Sequence, residues 1–294
     1  MVNKASGIPD SLFLFDVIAA RPPEPKVKIP QHPIWTENKA KLIERYLFYF
    51  VLITKHGTYI DGFAGPQQPR NPEMWAAKLV LEIQPRWLRN FYLFETNKRK
   101  IAKLLQLKNS QPLREKKEPK QQIDVRHGDF NSLILEVLES GKIKQKEATF
   151  CLLDQITFQC WWSTLVALSR YKTQGNKIEL VYFFANAWLD RALAAQRDKY
   201  VLEKWWGRKD WPKLKDMSQT ARVLLFVERL KKELGYWSVR PWPIYESEKG
   251  KRIMYYMIHA TDHPAAPFAM QRAYAKAVGP MESPREVQLE LGIL

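Results

Sequence analysis

Cysteine is nearly absent from this chain: Cys151 and Cys160 are the only two in 294 residues. Two thiols build no disulfide framework, and their spacing suits no metal site. A reducing intracellular compartment fits that usage, and a cytoplasmic location is the expectation. Long apolar runs are missing too. No stretch approaches the roughly 20 residues that span a bilayer, so no membrane partner is expected. The run Leu12 to Ala20 (LFLFDVIAA) is short, carries Asp16 and lacks a basic leader, which argues against a signal peptide. Such a segment packs on its own domain or docks on a partner. Acidic residues are also in deficit, 31 Asp and Glu against 47 Lys and Arg, which leaves a formal charge of +16. A surplus of that size points to a polyanionic partner, nucleic acid first. No internal repeat is present.

What the chain does have is core material. It is 46% hydrophobic and unusually rich in tryptophan, with 11. Residues 1 to about 35 read as a tail, because Pro22, Pro23, Pro25, Pro30 and Pro33 exclude regular structure. Thr36 then caps a helix expected to run to about Thr54. Beyond it, short apolar runs at Thr58–Phe63, Asn90–Glu95, Gln122–His127, Ala148–Asp154 and Ile178–Phe184 alternate with helical spacing. Strands separated by helices imply a parallel sheet. The rhythm then breaks at 185–235, a mostly helical basic and aromatic insertion. Two strand-like runs, Trp237–Tyr245 and Arg252–Ala260, follow, joined by the short polar loop ESEKGK, which favours an antiparallel hairpin. A last helix near Phe268–Ala277 precedes a tail from 281 to 294. The expected body is therefore 36–184 with 236–280. It is an α/β fold with a mostly parallel twisted sheet, a carboxy-terminal antiparallel hairpin and a helical insertion, the Rossmann-like organisation of class I methyltransferases.

Chemistry concentrates at the strand ends. In YIDGFAGP a strand ends in Asp61 and turns through Gly62, Phe63, Ala64, Gly65 and Pro66. Mostly small residues there let a nucleotide-like ligand approach the backbone, and Asp61 can accept from its polar end. The alternative is a tight turn with no ligand. FYLFE ends the second strand in Glu95, placed to accept from both ribose hydroxyls or merely to cap the next helix. HGDFN carries Asp129 and Phe130 after the third strand; Asp129 reads an adenine amino group or caps a helix. FCLLDQ places Asp154 after the fourth, where amino-methylating enzymes hold the target amine. Four carboxylates at four consecutive strand ends converge on the edge where open α/β sheets bind ligands.

Partners are read from two basic stretches. Lys199, Lys204, Trp205, Trp206, Arg208, Lys209, Trp211, Lys213 and Lys215 alternate cations with aromatic rings. Cations meet phosphates, and tryptophans stack on unpaired bases. The alternative is that the tryptophans pack against the main domain and the lysines are solvated. Arg114, Lys116, Lys117 and Lys120 extend such a track or form an ordinary exposed loop.

Taken together, KAKLIERYL, YIDGFAGP, the strand ending in Glu95, the GDFN turn and a late ATDHP resemble the three-Cys-motif partner family, over roughly Trp35 to Ala277. These bacterial proteins have a methyltransferase-like domain and are encoded beside a three-cysteine protein similar to radical-S-adenosylmethionine enzymes. The resemblance implies the fold, an S-adenosylmethionine site and that partner. Two departures stand out. Gln67 follows Pro66 where the family continues with glycine, and Asp154-Gln155-Ile156-Thr157 replaces Asp-Pro-aromatic-Gly. Phe158, Trp161 and Trp162 offer aromatic stacking there at irregular spacing. Cys160 sits near the nucleophile position of cytosine-5 methyltransferases but lacks its Pro-Cys context, and reads as a buried structural cysteine. His259 and His263 are four apart, but they straddle a strand end before Pro264 and so cannot form a helical metal pair. Two readings result. One is an S-adenosylmethionine-binding methyltransferase-like protein acting on nucleic acid. The other is a catalytically degenerate subunit that keeps the fold as a scaffold for nucleic acid or a partner protein.

Overall fold

Tyr59 and Ile60 are neighbours in sequence and both fully buried, yet they belong to different cores. The same split separates Phe91 from Tyr92 and Phe150 from Cys151. Successive strand residues point to opposite faces, so strands apolar on both faces must lie between two helical layers. A computed structural model of the chain shows this arrangement. It describes residues 23–26, 34–35, 38–68, 70–113, 119–195, 199–246 and 252–290. Residues 12–20, the expected cap Thr36, the basic residues Arg114, Lys116 and Lys117, and most of the ESEKGK loop lie outside the described residues.

The strands are β1 (Ile34–Trp35), β2 (Gly57–Asp61), β3 (Leu88–Glu95), β4 (Gln122–His127), β5 (Thr149–Leu153), β6 (Glu179–Phe184), β7 (Ser238–Tyr245) and β8 (Ile253–Thr261). The helices are α1 (Lys39–Thr54), α2 (Ala76–Glu82), α3 (Lys98–Asn109), α4 (Phe130–Glu139), α5 (Trp162–Arg170), α6 (Asn186–Ala195), α7 (Lys199–Trp206), α8 (Gln219–Lys232), α9 (Ala266–Lys276) and α10 (Pro284–Glu290). One sheet runs in the order β1-β7-β8-β6-β5-β2-β3-β4. Strands β2 to β6 pair in parallel, while β8 pairs antiparallel with both β6 and β7. Leaving out the edge strand β1, the order is third, second, first, fourth, fifth, seventh, sixth. This is the Rossmann-like class I methyltransferase fold. No helix of the described residues is long and apolar enough to cross a membrane.

Two departures from the sequence reading concern the ends. The end of the proline-rich segment is not free: Ile34 and Trp35 pair in parallel with Ile244 and Tyr245, which covers the edge of β7. Glu24, further upstream, bonds Ser238 and pairs with Lys231 and Arg240. The tail expected from 281 carries α10, held by Val287, which is fully buried, and by a cluster joining Arg272 to Glu282 and Glu290.

Candidate functional site

The carboxyl ends of β2, β3, β4 and β5 bring Asp61, Glu95, Asp129 and Asp154 to one edge of the sheet. Asp61 is buried, accepting from the Tyr59 hydroxyl at 2.8 Å and the Phe63 amide at 3.1 Å. Burial pushes its carboxyl up to about 7, and the charges of Asp154 and Glu95 push the same way. The turn after it is stitched to its neighbours: Gly62 N–H donates to Leu152 O at 3.0 Å, Ala64 N–H to Phe94 O at 2.8 Å, and the Trp75 indole to Ala64 O at 2.6 Å. Pro66 is buried and Phe63 half-buried against Phe130.

Glu95 uses only one of its oxygens locally. Oε1 accepts from the amides of Thr96 at 2.9 Å and Asn97 at 2.8 Å. Oε2 faces Gly65, where an added Cβ would land on the carboxylate. Gly65→Ala is therefore expected to turn Glu95 out of place. The cost is on the order of 1 kcal/mol, through strain on the two amide hydrogen bonds. Thermal unfolding measures it, and an unchanged midpoint would show slack between turn and carboxylate.

Asp129 is exposed and bonded to Asn131 at 3.0 Å, so it retains acceptor capacity. Asn131 is the hub behind it. Its Oδ1 accepts from Trp161 N–H at 2.9 Å and the Thr164 hydroxyl at 2.7 Å, and its Nδ2 also donates to Gln159 O at 2.8 Å. The turn after β4 is thus tied to the loop after β5. Gln155, in the departing loop, is buried and pins it from the other side, accepting from Cys160 N–H at 2.7 Å and donating to Phe183 O at 3.2 Å. Cys160 itself is fully buried, and burial pushes its thiol far up, which suits packing and not attack. His259 is buried with Nε2 3.1 Å from Glu179 in the core, away from this edge.

Asp154 is already engaged. Lys39 Nζ lies 2.9 Å from its carboxylate, 2.8 Å from Gln67 Oε1 and 4.6 Å from the centre of the Phe183 ring. Gln67 Nε2 donates to Asp154 Oδ2 at 3.0 Å. The remaining cavity, between Asp61, Trp75 and Asp154, is only about 10 Å³. No signal in the sequence singles out Lys39, which reads there as a solvated cation of the helix's first turn.

Comparison with known proteins adds little. No known protein-family profile matches the chain, and no curated protein matches it in sequence. The resemblance to the three-Cys-motif partner family thus stays an expectation. Among solved structures, M. jannaschii TYW2 in complex with AdoMet is similar with a TM-score of 0.38 at 11% identity, over 76% of this chain and 75% of that one. Trm1 from Pyrococcus horikoshii with S-adenosyl-L-methionine is similar with a TM-score of 0.40 at 14% identity, over 83% of this chain and 61% of that one. Likeness at this level adds nothing to the strand order above.

The basic aromatic stretch needs correction. Trp205, Trp206 and Trp211 are 2%, 1% and 7% exposed, so none offers a face to a base. Trp205 donates to the Tyr182 hydroxyl at 2.6 Å and stacks on Phe226, while Trp206 donates to Asp210 at 2.8 Å. They are core because α6, α7 and α8 lie on one face of the sheet, which these rings fill. Of the cations, Arg208 pairs with Glu233 at 3.1 Å and Lys213 with Asp210 at 2.5 Å, whereas Lys199, Lys209 and Lys215 are exposed. A different pair of rings faces outward. Lys204 Nζ sits 3.7 Å from the centre of the Trp161 ring and 4.2 Å from that of Tyr200, which is 68% exposed. These three line an open groove of about 750 Å³ with Arg208 and Lys209.

Proposed function

We propose that the chain binds S-adenosylmethionine at the carboxyl ends of β2 to β4 and acts on nucleic acid held by the Trp161–Tyr200 groove. The observation that carries the first half is Glu95: buried, anchored through one oxygen, with the other facing the glycine turn. In the donor set of this edge, Glu95 Oε2 suits a ribose hydroxyl, Asp129 an adenine amine and Asp61 an ammonium group. Space is the counter-argument, since about 10 Å³ beside Asp61 holds one water at most. What lines that space, however, includes Gln67, an otherwise exposed side chain held there by Lys39 and Asp154. The carboxylates therefore suit the cofactor's polar groups, and room for it requires at least that Gln67 turn away.

When bound, S-adenosylmethionine supplies an electrophilic methyl group. The chain's own part is to orient and to hold protons. Asp154 is placed to accept a hydrogen bond from an acceptor amine, a place the Lys39 ammonium takes in this structure. Trp161 and Tyr200 offer stacking for an unpaired base, with Lys209 and Lys199 near its phosphates. In this reading the stretch 185–235 is the nucleic-acid-binding insertion on a body of 36–184 and 236–280.

Calorimetry with S-adenosylmethionine and S-adenosylhomocysteine tests it. Entry of the ligand must break hydrogen bonds from Gln67 to charged groups, each worth about 1.5–3 kcal/mol. Gln67→Gly removes that cost beforehand, so its affinity is expected to rise at least about tenfold. Glu95→Gln in the same background should weaken binding without unfolding. The Lys39–Asp154 pair favours a second reading, a scaffold whose acceptor position is permanently closed. Absence of binding by both the parent chain and Gln67→Gly would establish that one.

A further inference from the structure

The sheet is electrically polarised. Its carboxyl edge carries the four acids above, and its amino edge carries cations. There, between the starts of β3 and β4 and the loop before β5, lies a cleft of about 580 Å³. Arg89, Lys120, Lys142, Lys144 and Lys146 line it, all exposed and none in an ion pair with another described residue. Among the described residues the one acid in its wall, Glu147, is 8% exposed and lies beside the buried Lys172, which donates to its backbone carbonyl and to Thr149 at 2.9 Å. At five residues' rise along β3, cleft and acid edge are roughly 17 Å apart, so the cleft is no part of the strand-end site. Unpaired cations converging on a concavity raise the folded state's self-repulsion unless an anion relieves it.

We propose that this cleft binds the phosphodiester backbone of a paired nucleic-acid stem. Its lining selects the partner. Among the described residues the wall holds two aromatic rings, Tyr92, which is 2% exposed, and the half-buried imidazole of His56, so the cleft offers no exposed indole, phenyl or phenol platform for stacking an unpaired base. It has no exposed apolar side chain either, which an anionic membrane surface would need for insertion. Cations alone on a concave floor read phosphate and shape, not sequence. The proposal rests on the nucleic-acid half of the function above and is independent of the cofactor half.

The test is fluorescence anisotropy of the full chain over a salt series. The probes are an RNA duplex, a DNA duplex of equal length, a single strand, and vesicles containing anionic lipid. The combined variant Lys142→Gln, Lys144→Gln, Lys146→Gln is expected to bind duplex at least about tenfold more weakly. Its salt slope should be shallower by about 2–3, since each phosphate contact contributes about 0.9. RNA against DNA loss identifies the natural stem. Equal charge removal at Lys232, Arg252 and Arg285 should change duplex binding little. An unchanged affinity and slope in the folded cleft variant would overturn the proposal. So would an equal loss in the control, or binding of vesicles in preference to duplex. Tyr200→Ala separates the two readings. If it weakens single-strand binding while the cleft variant keeps duplex binding, the groove stands and the cleft falls. The reverse pattern leaves the cleft standing alone.

Discussion

Trp205→Ala should destabilise the chain by about 3–5 kcal/mol, the usual cost of emptying a large aromatic site in a core. Trp205 touches Phe158, Phe184, Trp206 and Phe226, with ring centres 4.9 to 6.2 Å away. Truncation also removes the indole that donates to the fully buried Tyr182 hydroxyl, leaving it only the Gln155 side chain as a partner. In thermal unfolding the midpoint should fall by roughly 10 °C. Tyr200→Ala is the contrast. Its ring is 68% exposed, so stability should change by no more than about 0.5 kcal/mol. Its effect should fall on single-strand affinity instead, by about 1–3 kcal/mol if a base stacks on it. The opposite result, a stable Trp205→Ala that has lost nucleic acid, would restore the tryptophans as stacking platforms and remove Tyr200 from the groove.

That reversal between Trp205 and Tyr200 shows where the sequence was legible and where it was not. Along α7, Leu202, Trp205 and Trp206 follow the spacing of one buried helical face, while Tyr200 and Lys204 fall on the other. Periodicity held the answer, and composition, cations alternating with aromatics, pointed away from it. Four of the five parallel strands were legible because each holds a short apolar run buried on both faces, whereas β4, QIDVRH at the sheet's edge, is only partly buried. The pairing of Ile34 and Trp35 was not, since two residues carry no pattern and their partners lie at 244 and 245. Nor was the Lys39–Gln67–Asp154 cluster. Its members are 28, 87 and 115 positions apart, and only the folded sheet brings them together. Asp61, Glu95 and Asp154 stood out because each ends an apolar run, and Asp129 because the GDFN turn follows a strand-like run. What each one touches depends on neighbours that a single sequence does not reveal.

The second large effect is a pH dependence set by Asp61. Its carboxyl ordinarily titrates near 3.8 and is held at about 7 in the folded chain, chiefly by burial, against the lowering effect of the Tyr59 and Phe63 hydrogen bonds. A carboxyl raised on folding binds its proton more tightly in the native state. Stability is then greatest at acid pH and is lost as pH rises toward 7. Above that, the buried charge costs on the order of 4 kcal/mol relative to a neutral side chain. Asp61→Asn should match the parent chain near about pH 4 and exceed it in stability above about pH 8, with the difference growing in between. Urea unfolding of both chains across that range isolates the effect, because titrating groups not coupled to Asp61 cancel in the comparison. A difference that stays flat with pH would mean that Asp61 is ionised throughout the range. The same carboxyl links stability to binding. A ligand that presents an ammonium group to Asp61 favours its charged form, so affinity for that ligand should rise with pH up to about 7 and then level. In Asp61→Asn the affinity should be lower and independent of pH. A residue that destabilises its own fold when ionised, at the edge where this fold binds ligands, is better suited to meeting a cation than to holding a turn.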